Sequence, residues 1–253
     1  VLSRRQRQMC IRDRLGSDNY PQKFYVEYVP CTYGANWSPE AFNQDMLPGW
    51  QELLVEVDST IVAAYGLTYE GEKPEDAPGD GFWQLIWNSK ADADAGWETW
   101  ESYEKTADWN ESTADILACG TKAETFSFDA YVRRDGNALG AFNLESFSSD
   151  YQQCLYNEGQ GSSELIAVID QFEEWIESSD SSIYAPYSYV VLAPDYEDEE
   201  VDLFWGNFNQ NAELRDAGNA YFLKTGTDIQ DAFDKVMTCE DPIDYVTGEI
   251  PLT

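Results

Sequence analysis

The chain has 253 residues, 48 of them Asp or Glu against 15 Lys or Arg, and no histidine, for a formal net charge of −33. That charge repels phosphate backbones and anionic bilayers, which excludes nucleic acid and membrane surfaces as partners. The missing histidine removes Ser-His-Asp and Cys-His catalysis and histidine-ligated zinc or haem.

In chain order, residues 1–22 read as a leader outside the fold. Its run from Ser3 to Arg14 resembles translated sequencing-adapter read-through, so it is set aside together with Cys10. The native N-terminus, with any export signal, is expected to be missing. A first copy, residues 23–135, opens with a strand over Phe24–Val29, rich in aromatic and β-branched side chains. Ser38-Pro39-Glu40 marks a helix start, with Ser as N-cap and Pro at the first helical position. The helix carries Phe42 and Met46, kinks at Pro48-Gly49 and resumes through Trp50, Leu53, Leu54 and Val57. Strands are expected over Thr60–Tyr69 and Phe82–Trp87, either side of the acidic loop Glu70–Asp80. Ser89 caps a helix reaching Tyr103, a polar stretch leads to Cys119, and Thr125–Val132 is the fourth strand.

A second copy, residues 136–253, begins with a strand over Ala141–Phe147. The helix that follows sets Leu165, Ile169, Phe172 and Ile176 on one face. Strands over Ile183–Leu192 and Val201–Phe208 flank the acidic loop Pro194–Glu200. Helices over Ala212–Leu223 and Asp228–Met237, then a strand over Ile243–Ile250, close the copy. Hydrophobic residues make up 43% of the chain and aromatics 15%, enough for packed cores. No apolar run is long enough to span a bilayer.

The two copies repeat each other roughly 120 residues apart. Phe24-x3-Tyr28-x2-Cys31 returns as Phe147-x3-Tyr151-x2-Cys154, and Phe82-Trp83 returns as Phe204-Trp205. Asp94-Ala95-Gly96 returns as Asp216-Ala217-Gly218, and Cys119 returns as Cys239. Strand–helix–strand–strand–helix–strand is the split-βαβ, ferredoxin-like order. Two such copies resemble a fused dimeric α+β barrel. The expected fold class is therefore α+β, with two ferredoxin-like repeats packed as a fused pseudo-dimer and antiparallel sheets covered by helices on one face. The Phe-Trp strand, the Asp-Ala-Gly helix and the Cys beyond it also resemble uncharacterised exported proteins of marine bacteria. That second resemblance carries no catalytic residue onto this chain.

Four cysteines outside the leader allow three connectivities. On the split-βαβ reading, strand four lies antiparallel beside strand one, which places Cys31 at the same edge as Cys119 and Cys154 at the same edge as Cys239. The expected disulfides are Cys31–Cys119 and Cys154–Cys239. Disulfides imply a periplasmic or extracellular protein. No Cys-x-x-Cys or EF-hand spacing occurs, so no metal is expected; the acidic loops read as solvated charge.

Trp83 and Trp205 occupy equivalent strands, with Tyr65, Trp87, Trp97, Trp100 and Tyr187 around them, and these are the ligand-pocket candidates. Asn207 and Asn219, with Asn88, could supply hydrogen bonds to a ligand. Dimeric α+β barrel proteins commonly hold ligands between sheet and helices, which is what the resemblance implies for this cluster. Gly96 and Gly218 mark either close helix packing or room for that ligand. Asp94 and Asp216 read as helix-dipole acids.

The function expected from sequence is a non-enzymatic binding module for a small apolar or aromatic ligand, or for a protein. No cofactor is expected, and the chain is read as a monomer with an internal pseudo-dimer. An alternative is an enzyme resembling the cofactor-independent monooxygenases of the dimeric α+β barrel type, which use Trp and Asn to orient a substrate that itself reacts with oxygen. That enzyme requires an enclosed pocket with convergent polar groups in at least one copy. A structural acidic surface protein would instead have two solid cores. Residues shared by both copies read as scaffold. Trp87, Trp97 and Trp100 occur in one copy only, and specialised function would have to sit there.

Overall fold

The computed structural model describes residues 22–134, 142–179, 182, 186–198 and 200–253. Residues 1–21, the copy boundary expected between residues 135 and 136, and positions 141, 183–185 and 199 of the expected strands and loop lie outside them. The chain divides into two compact units, Phe24–Ser127 with Thr247–Thr253, and Phe128–Val246.

The N-terminal unit opens with β1 (Gln22–Tyr33). Ser38 caps Pro39–Ala41 by accepting from the Ala41 N–H at 3.0 Å, and the chain passes through a π-turn, Phe42–Met46, into α1 (Leu47–Glu56). Pro48 sits in the first turn of α1, where its missing N–H costs nothing, so the expected kink takes the form of that π-turn. β2 (Ala63–Tyr69) and β3 (Gly81–Trp87) follow, then α2 (Lys90–Ser102), capped by Ser89. The stretch expected to be polar and irregular is α3 (Glu104–Thr113). Its buried stripe is Thr106 and Thr113 with Trp109 between them, too polar a face to stand out as an apolar period. It leads into β4 (Leu117–Cys119).

β3 lies between β1 and β2, and β4 pairs with the end of β1. The fourth strand of this copy is therefore the short β4. The segment expected in that role, β5 (Phe126–Val132), pairs antiparallel with β7 (Tyr187–Pro194) of the C-terminal unit's sequence, matching Phe128 to Pro194. Alternation sends Trp83, Leu85 and Trp87 to one face of the sheet and Phe82, Gln84 and Ile86 to the other. The first face carries Tyr25, Val29 and Ala64 as well, and Met46, Leu47, Trp50 and Leu54 cover it. The C-terminal tail completes the unit, with Ile250 N–H donating to Ala64 O at 2.8 Å.

In the C-terminal unit, β6 (Phe147–Tyr156) replaces the strand expected over 141–147; its Ser-Ser-Asp-Tyr-Gln-Gln run carries no apolar alternation to mark it. α4 (Ser162–Ser178), β7 (Tyr187–Pro194), β8 (Leu203–Asn209), α5 (Ala212–Thr225), α6 (Thr227–Val236), β9 (Met237–Cys239) and β10 (Ile243–Glu249) follow. The order β7-β8-β6-β9 matches β2-β3-β1-β4. The registers match too: Val29 faces Trp83 as Gln152 faces Trp205, and Cys31 faces Cys119 as Cys154 faces Cys239. Leu165, Ile169, Phe172 and Ile176 of α4 pack on Tyr189, Val191, Leu203 and Trp205.

Because each cysteine pair is cross-strand, both bonds close with Cα atoms 4.0 Å apart: Cys31–Cys119 across a separation of 88 residues and Cys154–Cys239 across 85. Among the described residues no helix is long and apolar enough to cross a membrane.

Candidate functional site

Each unit holds a cavity of about 520 Å3 on the helix-covered face of its sheet. Each cavity opens beside a packed core, whereas the structural-protein reading expected no pocket in either copy.

The cavity of the C-terminal unit is built round Asn207. On β8, alternation points Trp205, Asn207 and Asn209 to the helix side, and register brings Asp150 of β6 and Tyr189 of β7 opposite Asn207. The Asn207 Oδ1 accepts from Trp205 Nε1 and from the Tyr187 hydroxyl, both at 2.9 Å. Its Nδ2 donates to Asp150 Oδ1 at 2.8 Å. Two donors on the oxygen leave only the nitrogen for Asp150, so the amide has one orientation. Trp205 is held flat against Tyr189, ring centroids 4.7 Å apart and planes 6° from parallel. Asp150 is 3% exposed, and burial raises its pKa to about 6. The Asn207 hydrogen bond lowers it, Asp244 raises it and Arg215 lowers it, without undoing the burial effect. Arg215, itself buried, donates to Ser148 Oγ at 3.1 Å and pairs with Asp244 at 3.3 Å and Asp216 at 3.1 Å. Phe172, Phe222 and Phe233 form the apolar wall, and Asn219 is exposed where it lines the cavity.

The cavity of the N-terminal unit is walled by indoles: Trp50, Trp83, Trp87, Trp97, Trp100 and Trp109. Beside it lies Glu27, 0% exposed, which accepts from Trp87 Nε1 at 3.0 Å and Trp97 Nε1 at 2.6 Å and pairs with Lys122. Gly96 explains how α2 comes so near: a Cβ there would stand 2.6 Å from the Trp87 ring.

Of the sequence candidates, Trp83, Trp87, Trp97 and Trp100 line the N-terminal cavity, and Trp205, Asn207, Tyr187 and Asn219 line the C-terminal one. Tyr65 does not join them. It faces Gln84 on the opposite side of the sheet from Trp83, because β2 puts Ala64 and Gly66 on the indole side. Asn88 is exposed and outside both cavities. Asp94 and Asp216 are surface acids, 51% and 69% exposed, paired with Lys90 and Arg215. Among the described residues no three Asp, Glu or Cys groups converge as metal ligands.

The sequence reading missed Glu27 and Asp150. They are equivalent residues: Glu27 faces Leu85, and Asp150 faces Asn207, the position equivalent to Leu85. The repeat that aligns Cys31 with Cys154 also aligns these two acids, and an acid facing inward from a core strand in both copies was the available signal.

No protein-family model and no curated protein matches the sequence. Solved structures do match in fold. A chlorite dismutase variant from Candidatus Nitrospira defluvii superposes with a TM-score of 0.52 at 8% identity, covering 90% of this chain and 92% of its own. A second variant of that enzyme gives 0.50 at 9% identity over 95% of both chains. A haem-binding protein from Thermus thermophilus gives 0.48 at 12% identity, over 91% of this chain and 92% of its own. The chain has the mixed α+β, antiparallel architecture of the dimeric α+β barrel fold. The non-enzymatic module expected from sequence is corrected here. The two chlorite dismutase variants, which share this fold along nine tenths of the chain, are forms of an enzyme, and the C-terminal cavity brings Asp150, Asn207 and Tyr187 together as convergent polar groups.

Proposed function

We propose that the chain is an oxygen-consuming enzyme of the dimeric α+β barrel type, built on two ferredoxin-like copies. It would oxidise an electron-rich aromatic substrate in the C-terminal cavity using electrons from the substrate itself. Asp150 carries this reading. A carboxylate with its pKa raised to about 6 is basic enough to take a proton from an acidified C–H at neutral pH. The resulting carbanion, delocalised into its rings against Trp205 and Phe172, gives its electrons to O2. Conversion of a CH2 to C=O releases one water, so the four electrons taken up by O2 are those lost by the carbon. Asn207, locked by Trp205 and Tyr187, positions Asp150 for the proton transfer.

Haem, which the Thermus protein's name attaches to this fold, does not fit the residues present. The sequence holds no histidine, Cys239 is tied to Cys154, and the Tyr187 hydroxyl donates to Asn207. Asp150, Asp234, Glu240 and Asp241 line the cavity, and its arginine is already paired to two aspartates, so haem propionates would meet net negative charge. The two disulfides support a periplasmic or extracellular place of action.

The test is oxygen uptake with anthrone, whose CH2 is flanked by two rings. Uptake above the buffer rate is expected, with kcat/KM rising through about pH 6 and a loss of at least about 100-fold in Asp150→Asn. Wild-type turnover in Asp150→Asn, or no uptake above buffer by the native chain, overturns the assignment.

A further inference from the structure

We infer that the cavity of the N-terminal unit is a second binding site, separate from the proposed reaction, for an uncharged, hydrocarbon-like guest that needs no hydrogen bond from the protein. Three observations lead there.

The first is what the two copies place at equivalent positions. The C-terminal cavity takes its polarity from Asp150, Asn207, Asn209 and Arg215. The repeat aligns these with Glu27, Leu85, Trp87 and Ala93. Leu85 and Trp87 line the N-terminal cavity as apolar side chains, Ala93 is buried, and Glu27 does not line it. Glu27 is held instead by Trp87, Trp97 and Lys122, so this copy has no counterpart of the poised Asp150. One duplicated frame therefore carries a polar cavity and an apolar one.

The second is the wall that a guest can reach. Trp97, Trp100 and Trp109, with Val57 and Ile61, line the cavity and are only half-buried. These large apolar side chains keep surface in contact with water, and an apolar guest would remove it. The space is about 520 Å3. An apolar cavity of about 150 Å3 already takes up benzene, so two or three fused rings can be accommodated.

The third is that the lining's hydrogen-bonding groups are used within the unit. The Thr106 hydroxyl is shared between Trp100 O at 2.5 Å and Tyr103 O at 2.7 Å, and Ser59 Oγ accepts from the Ile61 N–H at 3.3 Å. Trp87 and Trp97 donate to Glu27, and Trp109 donates to Met46 O at 3.2 Å. A polar guest would lose its hydration there without recovering it. A carboxylate would also meet Glu101, which lines the cavity, on a chain of net charge −33.

The matched probes are naphthalene and 2-naphthoate, which share their rings and differ by one carboxylate, in equilibrium dialysis against the full chain at pH 8. Naphthalene is expected to bind saturably and at least about tenfold tighter than 2-naphthoate. Trp100→Asn, which trades the half-buried indole for an amide, should weaken naphthalene at least about tenfold. Phe222→Asn, the same change at the equivalent position of the other copy, should alter it less than about twofold. No binding of naphthalene, equal binding of the two probes, affinity retained in Trp100→Asn or lost in Phe222→Asn would each overturn the site. Should Trp100→Asn fail to fold, hydroxyl-radical footprinting of the native chain decides. Saturating naphthalene is expected to protect Trp97, Trp100 and Trp109 from oxidation and leave Tyr221 and Phe222 unprotected, and the reverse pattern refutes the site. None of these readouts depends on catalysis, so this site and the proposed reaction can fail separately.

Discussion

Asn207 donates to Asp150 Oδ1 at 2.8 Å while its own oxygen accepts from Trp205 and Tyr187. That chain of bonds orients the Asp150 carboxylate but supplies no full positive charge to neutralise it. At the equivalent position of the other copy, Glu27 has Lys122 as well as two indole donors. One strand position thus carries two different acids, one satisfied and one poised. The difference comes from which side chains the second half of each copy places above it.

Asp150 should make stability depend on pH. Its folded pKa is raised from 3.8 to about 6, so the folded state holds a proton that the unfolded state has released between those values. Below 3.8 both states are protonated and no penalty exists. The penalty grows as pH rises and is complete above about 6, on the order of 3 kcal/mol at 1.36 kcal/mol per unit. Asp150→Asn should therefore be more stable than wild type at pH 8 and show little gain at pH 3.5, read from urea midpoints. Equal gains at both pH values would contradict the assignment.

Removing Lys122 should be severe. Lys122→Met leaves Glu27 buried with its charge uncompensated, at a cost of about 3 kcal/mol. Glu27→Gln in the same chain should recover much of that loss, because no buried charge then remains. A double-mutant cycle by chemical denaturation measures the coupling, and additive losses would count against it.

Gly96→Ala tests the approach of α2 to the sheet. The helix would gain about 1 kcal/mol in propensity. The new Cβ would meet the buried Trp87 ring at 2.6 Å, and overpacking costs about 1–3 kcal/mol. The net expectation is a loss near 1 kcal/mol, a fall of about 3 °C in Tm by calorimetry. A rise in Tm would mean that the ring gives way freely.

Each disulfide should contribute through the loop it closes. With separations of 88 and 85 residues, the chain-entropy relation gives about 4.6 kcal/mol apiece. Replacing Cys31 and Cys119 together by alanine should lower stability by about that amount, as should replacing Cys154 and Cys239. Urea titrations of the two double variants check this, and a loss under about 1 kcal/mol in either would sink the entropic account.

Much of the architecture was legible because it rests on local signals. Ser38 and Ser89 announce helix starts through side-chain oxygens that cap the first turn, and α4 shows its apolar face at helical spacing. The alternation of strands and helices in duplicate gave the α+β class. Elements with polar or very short sequences were not legible. β6 begins with Phe147-Ser148-Ser149-Asp150, β4 has three residues, and α3 buries threonines, so none carries a period that burial alone would impose.

The candidate site divides in the same way. Its tryptophans and asparagines could be named from the repeat, since paired aromatic positions persist in sequence. Tyr65 was misplaced because one step along a strand reverses a side chain's face, and only register decides which face holds the cavity. Sequence by itself determined the duplication, the positions of the paired cysteines and the exclusion of histidine chemistry. The tertiary structure alone separated Asp150 from the chain's other acids. A carboxylate becomes a base near neutrality through burial and the partners it is denied, and both are properties of the space around it.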